Sequence, residues 1–264
     1  MSRGFLTLLS DFGDCDVYVG MMKGAIARVA PQVGVVDLTH RIPAQDVAAG
    51  RFALASAVSF FPIGTVHVAV VDPGVGTARR GIAVQFDGGF LVGPDNGLLS
   101  GVLTERAAIA AVELTEPHYW GTDMPSATFH GRDIFAPVGA HLATGVPLKA
   151  LGPAIAVSEL VALPVAAVER MRAGWRGCIQ YVDGFGNLVS NVSAAAVSDR
   201  AWSLILPSGT VVPGCRSYSD RAPGGVVALV GSHGWVEVAV NCGSAKEHLQ
   251  LEVGDCVEVR FSTG

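Results

Sequence analysis

Short apolar runs alternate with longer stretches of mixed polarity in the first part of the chain. The short runs are rich in β-branched residues and lie at positions 5–10, 33–38, 65–71 and 82–86. Helix-like stretches at 17–30 and 46–61 separate the first three runs and are long enough to cross over a sheet. This alternation predicts an α/β N-terminal domain whose sheet is mostly parallel and covered by helices.

The pattern changes after about Pro153, where helical periodicity becomes weak and turn residues are frequent. Short strand candidates follow at 177–183, 202–206, 226–231, 235–241 and 256–261. Regular short strands separated by Gly, Ser and Asn predict a smaller all-β domain, a barrel or a sandwich. We place the boundary near residue 165, which gives domains at 1–165 and 166–264.

Composition excludes several classes of protein. Half of the 264 residues are hydrophobic, the formal net charge is −5, and the basic residues form no cluster, so a folded protein without nucleic-acid binding is expected. No apolar run reaches the ~18 residues of a membrane span, and the first residues lack a signal-peptide cleavage pattern. The five cysteines are odd in number and without CxxC spacing, which argues against a disulfide framework or a structural zinc site. We therefore expect a reduced, cytoplasmic protein.

Acidic residues follow several of the predicted strands. They are Asp11, Asp37, Asp72 and Asp95. Ligands of such sheets bind beyond the carboxyl ends of the strands, and Asp11 is well placed to accept hydrogen bonds from a ribose diol. Asp16, just before the first helix-like stretch, is expected to cap that helix.

The stretch VDPGVGTARR, at 71–80, has two interpretations. It is not a phosphate-binding loop, because the terminal GK[ST] is missing. It is either a Gly-Pro turn with exposed arginines or an acid held next to a guanidinium, which keeps the carboxylate ionised and supplies a fixed positive charge. His130, in TFHGRD, is likewise either catalytic or part of a structural helix start beside Arg132 and Asp133.

Polar residues spaced by glycine recur in the second part of the chain. VDGFGN contains Asp183, Phe185 and Asn187, which form either a plain β-turn or a site that stacks a nucleobase and bonds its edge. GSHGW at 231–235 and VNCGSA at 240–245 cannot be told from hairpin turns by their own composition.

Taken together and in order, these motifs resemble the S-adenosylmethionine hydroxide adenosyltransferase family, hydrolases related to fluorinating and chlorinating enzymes. The motifs are LSDFG, VVDPGVGTARRGIAV, LVGPDNGLL, TFHGRDIFAPVGAHLA, VDGFGNLVSNV and VALVGSHGWVEVAVNCGSA, between about residues 5 and 261. The resemblance implies an N-terminal α/β domain, a C-terminal β-barrel and a homotrimer, with each site between the N-terminal domain of one subunit and the C-terminal domain of the next. It also implies that water and S-adenosylmethionine give adenosine and methionine, without a cofactor or metal.

The resemblance also assigns roles to residues. A catalytic triad of the hydrolases matches Asp72, Arg79 and His130; the halogenating relatives lack it. The substrate-binding positions are Asp11 for the ribose hydroxyls, Phe185 and Asn187 for the adenosine, Asp183 and Ser232 for the methionine ammonium and carboxylate, and Asn241 with the Cys242 backbone for the adenine edge. Two departures fall at the methionine end, where His233 replaces an arginine and Val189 a tryptophan of the halogenating relatives.

Three alternative functions stay open. A metal-dependent phosphoesterase would use Asp11, Asp72, Asp95 and His130 as ligands of a divalent ion. A non-catalytic adenosine or S-adenosylmethionine sensor would use the triad as a polar scaffold. A halogenating adenosyltransferase would take a halide in place of water.

Overall fold

The computed structural model describes residues 4–198 and 200–261, and the chain divides between Leu163 and Pro164 into two compact units. Each unit has a hydrophobic core of its own. Within the described part of the chain, no helix has the length and apolar character that a membrane span requires.

The first unit contains a seven-stranded sheet. Its strands are β1 (Phe5–Ser10), β2 (Gly34–Thr39), β3 (Thr65–Val70), β4 (Gly81–Phe86), β5 (Gly89–Pro94), β6 (Ala108–Glu113) and β7 (Ala154–Ile155). They lie in the order β2-β1-β3-β5-β4-β6-β7. Strands β2, β1, β3 and β5 pair in parallel, whereas β5, β4, β6 and β7 pair antiparallel.

The sheet is therefore mixed, and the expected predominance of parallel pairing is not confirmed. The difference begins at Asp87-Gly88, which joins β4 to β5 by a two-residue connection. A connection this short can join only antiparallel neighbours, and Asp-Gly is a favoured hairpin sequence. The sequence signal for the antiparallel half lies in this dipeptide.

Four α-helices accompany this sheet within residues 4–163. They are α1 (Tyr18–Val29), α2 (Val47–Val58), α3 (Ser100–Glu105) and α4 (Ala136–Ala143). Helix α1 packs against α4, and α2 packs against α3. The Asp46 carboxylate caps α2 by accepting from the Ala49 N–H at 2.8 Å. The prediction that Asp16 caps α1 is wrong, because the N-cap residue is Val17 and no side chain caps this helix.

Burial explains why the central strands are almost uniformly apolar. Every residue of β3 is buried, and side chains of β1 and β3 form one core with side chains of α1 and α4. A strand that is covered on both faces has no polar face, so it appears in sequence as a continuous hydrophobic run. The prediction of a helix-covered α/β sheet is confirmed to this extent.

The second unit is a nearly closed antiparallel sheet. Its strands are β8 (Glu169–Met171), β9 (Gly174–Val182), β10 (Leu188–Ser193), β11 (Trp202–Ile205), β12 (Val211–Pro213), β13 (Val226–Val230), β14 (Trp235–Val240) and β15 (Cys256–Phe261), with helix α5 (Ala245–Leu249) before β15. The order is β12-β11-β15-β9-β10-β14-β13, and β8 adds to β9. A bridge between Gly214 and Ala228 brings the two end strands together, as in a small barrel.

Candidate active site

The loop from β3 to β4 carries the acid and the two arginines of VDPGVGTARR. Two turns fold it, with the Val75 N–H donating to the Asp72 carbonyl and the Thr77 N–H to the Gly74 carbonyl. Gly76, at φ +77°, lies so close to the Ala127 carbonyl that a Cβ would clash with it. The loop thereby turns back and directs Arg79 towards the acid at the end of β3.

Asp72, Arg79 and His130 form one hydrogen-bonded cluster. Arg79 Nε lies 3.0 Å from both carboxylate oxygens of Asp72, and Nη2 lies 2.5 Å from Oδ2. The same Nη2 lies 2.7 Å from Nδ1 of His130. The side chains of Arg79 and Asp72 are only 12% and 5% exposed. Of the two interpretations of the loop, the structure has the acid held by a guanidinium.

The contact with Arg79 defines the proton position on His130. A guanidinium has no acceptor, so Nδ1 must accept, and the neutral ring carries its proton on Nε2. Burial lowers the pKa of His130, and the positive charge of Arg79 lowers it further. The guanidinium also lies 5.3 Å from the ring centroid of Phe135, which holds it from a third side. His130 is therefore neutral at pH 7, with Nε2–H as its remaining donor.

Arg80 serves a different carboxylate. Its Nε and Nη2 donate to Asp95 Oδ2 at 3.0 and 2.6 Å, and Nη2 also donates to the Glu159 carbonyl. Asp95 Oδ1 accepts from the Val161 N–H. Asp95 thus fastens the last segment of the first unit. Two of the four ligands of the metal-site alternative, Asp72 and Asp95, are consequently bound to arginines, and among residues 4–198 and 200–261 no group of three or more potential ligands could hold a metal ion.

Asp11 directly follows β1, beside the loop from β3 to β4. Ser10 of β1 is paired with Val70 of β3, so Asp11 and Asp72 follow neighbouring parallel strands at the same edge. The partly buried Asp11 accepts from the Gln45 N–H at 2.8 Å. The preceding hydroxyl of Ser10 contacts His40 Nδ1 at 2.7 Å, which helps to hold this strand end.

In the second unit, Asp183 organises the turn between β9 and β10. Its Oδ1 accepts from the N–H groups of Phe185 and Asn187, both at 2.9 Å, and Oδ2 accepts from Asn187 Nδ2. The turn leaves the Phe185 side chain 80% exposed, whereas Asn187 is 7% exposed. An exposed aromatic ring beside an oriented amide is suited to stacking and edge recognition of a planar base.

A pocket of about 420 Å³ lies at this turn. It is lined by Phe185, Asn187, Tyr218, Val240, Asn241, Cys242 and Gly243. Ligand pockets commonly measure about 300–1,000 Å³, so a nucleoside-sized molecule fits. Four residues singled out in the sequence therefore meet here. Ser232 is not among the lining residues and lies exposed in the turn between β13 and β14.

Tyr218 and Glu237 were missed by sequence reasoning. Glu237 is 2% exposed, and its carboxylate accepts from Tyr218 Oη at 2.6 Å and lies 2.8 Å from His233 Nε2. Burial and the Glu237 carboxylate raise the pKa of Tyr218, which keeps it a hydrogen donor. The only available signal was a glutamate in the otherwise apolar strand WVEVAV.

His233 has both ring nitrogens engaged. Nδ1 accepts from the Trp235 N–H at 3.2 Å, so the proton is on Nε2 and is donated to Glu237. Both ring nitrogens of His233 are thus occupied by contacts within the second unit.

Comparisons with known proteins cover both units. The family models of the SAM hydroxide adenosyltransferase N-terminal and C-terminal domains match residues 6–152 and 177–258. An (R)-S-adenosyl-L-methionine hydrolase from Salinispora arenicola is 44% identical over 98% of each chain. A fluorinase from Actinoplanes sp. is 27% identical over 96% of each chain. The crystal structure of an uncharacterized conserved protein from Thermotoga maritima matches with a TM-score of 0.90 and 31% identity, over 96% of this chain and 99% of that one.

Proposed function

The chain belongs to the SAM hydroxide adenosyltransferase family, and we propose that it hydrolyses S-adenosyl-L-methionine to adenosine and L-methionine. The observation that carries this proposal is the Arg79 guanidinium, which is buried between the Asp72 carboxylate and the neutral His130. The 44% identity to a named (R)-S-adenosyl-L-methionine hydrolase supports it and points to the (R) epimer as substrate.

The sulfonium needs little assistance to leave. When the oxygen of water bonds to C5′ of the ribose, the C5′–S bond breaks and its electron pair neutralises the sulfur as methionine departs. Water loses one proton, and adenosine keeps the oxygen as its 5′-hydroxyl. The catalytic task is therefore to supply an oxygen nucleophile, because neutral water attacks poorly.

Arg79 supplies a positive charge and His130 supplies an N–H donor, and both favour hydroxide over neutral water. The guanidinium stabilises negative charge developing on the oxygen, and His130 Nε2–H donates to the same oxygen and fixes its position. Asp72 orients the guanidinium through three contacts. Because Nδ1 of His130 accepts from Arg79, we assign His130 to positioning the nucleophile, and the proton lost by water passes to solvent.

The substrate contacts divide by chemistry. Asp11 binds the ribose hydroxyls, Phe185 stacks on the adenine, and Asn187 with Asn241 and the Cys242 backbone bonds its polar groups. The pocket that four of these residues line supports this assignment. Asp183 and Ser232 bind the ammonium and carboxylate of the methionine part. These contacts require no cofactor and no metal.

On the basis of family membership, we extend the proposal to the assembly. We assign a cytoplasmic homotrimer in which the N-terminal domain of one subunit, 1–165, and the C-terminal domain of the next, 166–264, complete each site. The N-terminal domain would supply Asp72, Arg79 and His130, and the C-terminal domain of the next subunit would supply the contacts to adenosine and methionine.

Product analysis in labelled water tests the function. Purified protein is incubated with separate (R) and (S) epimers in H₂¹⁸O, with and without chelator and chloride. We expect adenosine labelled at the 5′-hydroxyl, together with unlabelled methionine, under all salt conditions. Formation of a 5′-chlorinated nucleoside would support a halogenating adenosyltransferase. Loss of activity with chelator would support a metal-dependent enzyme, and binding of the substrate without product formation would support a sensor.

A matched pair of variants connects this activity to the triad. Arg79→Gln should abolish turnover, whereas Arg41→Gln should leave it unchanged, because Arg41 is 77% exposed and pairs with Asp14 at the surface. Equal turnover of the two variants would remove Arg79 from the mechanism.

A further inference from the structure

Two cysteines of the barrel lie directly opposite each other on neighbouring strands. Cys178 of β9 is paired with Cys256 of antiparallel β15. Both are free thiols in the structure. Opposed residues of an antiparallel pair project their side chains from the same face of the sheet, so these thiols are neighbours.

The hydrogen-bonding pattern makes this pair a close one. The Cys178 N–H points towards β10, where it donates to Asn191 Oδ1 at 2.9 Å, whereas the next N–H, of Ile179, donates to the Asp255 carbonyl. Cys178 and Cys256 are therefore a non-hydrogen-bonded pair, in which Cα atoms are about 4.5 Å apart. Disulfides span Cα separations of about 4.4–6.8 Å, so a bond fits without a change of register.

The next pair on the same face holds the register. Arg176 and Glu258 are opposed two residues along, and Arg176 Nη2 lies 2.9 Å from Glu258 Oε1. A one-residue slip would separate this ion pair and also move the two thiols to opposite faces. The pairing of Cys178 with Cys256 is thus a fixed feature of the barrel.

The two thiols differ in access. Cys178 is 9% exposed, whereas Cys256 is exposed. Burial raises the pKa of the Cys178 thiol, and the neighbouring Cys256 adds to this. An exposed thiol beside a buried partner is the arrangement in which the first reacts with an oxidant and the second resolves the product.

We propose that Cys178 and Cys256 form a reversible disulfide between β9 and β15, with a hydroperoxide as the oxidant. The Cys256 thiolate attacks the peroxide, breaks its O–O bond and becomes a sulfenic acid; one oxygen leaves as water after protonation. The Cys178 thiolate then attacks the Cys256 sulfur and expels the second oxygen as water. Two thiols and one hydrogen peroxide thus give one disulfide and two waters. A dithiol reductant reverses the bond by exchange.

Thiol counting after oxidation tests the proposal. Full-length protein is treated with hydrogen peroxide while folded, then denatured and alkylated, and its peptides are mapped by mass spectrometry. We expect two of the five thiols to be lost, a linked peptide pair containing Cys178 and Cys256, and full recovery with dithiothreitol. The control variant Cys15→Ser, which removes another exposed thiol, should lose the same two thiols, those of Cys178 and Cys256.

Two variants separate the steps. Cys178→Ser should stop at the sulfenic acid of Cys256, which a dimedone-type probe traps. Cys256→Ser, a change at an exposed position, should leave Cys178 reduced. The proposal is overturned if both thiols remain alkylatable after oxidation, or if the linked peptides come from two different chains on a non-reducing gel.

Discussion

Replacing Arg79 by glutamine separates the chemical role of the guanidinium from its structural one. Glutamine retains a donor but removes the positive charge and the fork that holds Asp72. Loss of one preorganised donor to a developing oxyanion costs about 10²–10³ in kcat. Because Arg79 also fixes the His130 tautomer, we expect turnover to fall by about 10³ or more.

The same change leaves a carboxylate without its partner. Asp72 is 5% exposed and takes three contacts from Arg79. Breaking a buried ion pair from one side costs about 3–5 kcal/mol, and because the Arg79 side chain keeps 12% exposure we use the lower end, about 3 kcal/mol. Asp72→Asn combined with Arg79→Gln removes both charges and should recover most of this free energy of unfolding.

The assay combines thermal unfolding with adenosine formation under saturating substrate. We expect the single variant to be less stable and inactive, and the double variant to be nearly as stable as the wild type and still inactive. If the double variant regained turnover to within about tenfold of the wild type, the loss of activity would be structural, and hydroxide stabilisation by Arg79 would be refuted.

Three further predictions concern groups with altered proton affinity or buried contacts. Burial lowers the pKa of His67 to about 4. As pH falls, the unfolded chain therefore binds a proton on His67 before the folded protein does, and the free energy of unfolding should fall by about 3 kcal/mol between pH 6.5 and 4. Urea titrations of His67→Gln should show a smaller fall. Because burial and the Arg79 charge lower the pKa of His130, kcat/KM should decrease on the acid side at a lower pH than an ordinary histidine would give. Tyr218→Phe removes the hydroxyl that donates to Glu237 and holds the Tyr218 ring, and should raise KM about tenfold with kcat nearly unchanged in steady-state kinetics.

The elements from β1 to β4 were accessible from the sequence because buried strands are apolar throughout. Every residue of β3 is buried, and its run of β-branched residues is correspondingly clear. The direction of half the sheet was missed, although Asp87-Gly88 marks a two-residue hairpin. Direction depends on the connection rather than on the strand, so hydrophobic periodicity alone does not contain it.

The candidate site was predictable where its contacts are local. Asp72 and Arg79 are seven residues apart within one loop, so an acid-guanidinium pair was one of two stated interpretations. His130 is 51 residues from Arg79. Only the family resemblance, carried by the motifs in their order along the chain, connected His130 with Asp72 and Arg79. Glu237 was missed because a single glutamate in a strand normally faces solvent, and its partner Tyr218 comes from a separate turn.

The neutral state of His130 matters because the proposed substrate is itself a cation. Asp72 and Arg79 cancel in charge, so with neutral His130 the cluster has no net charge, and bound hydroxide gives it one negative charge that attracts the sulfonium. A protonated His130 would place an extra positive charge near the sulfonium, costing about 3 kcal/mol at a separation of about 6 Å and an effective dielectric constant of 20. Burial and Arg79, which lower the pKa of His130, therefore favour the nucleophile and the substrate together.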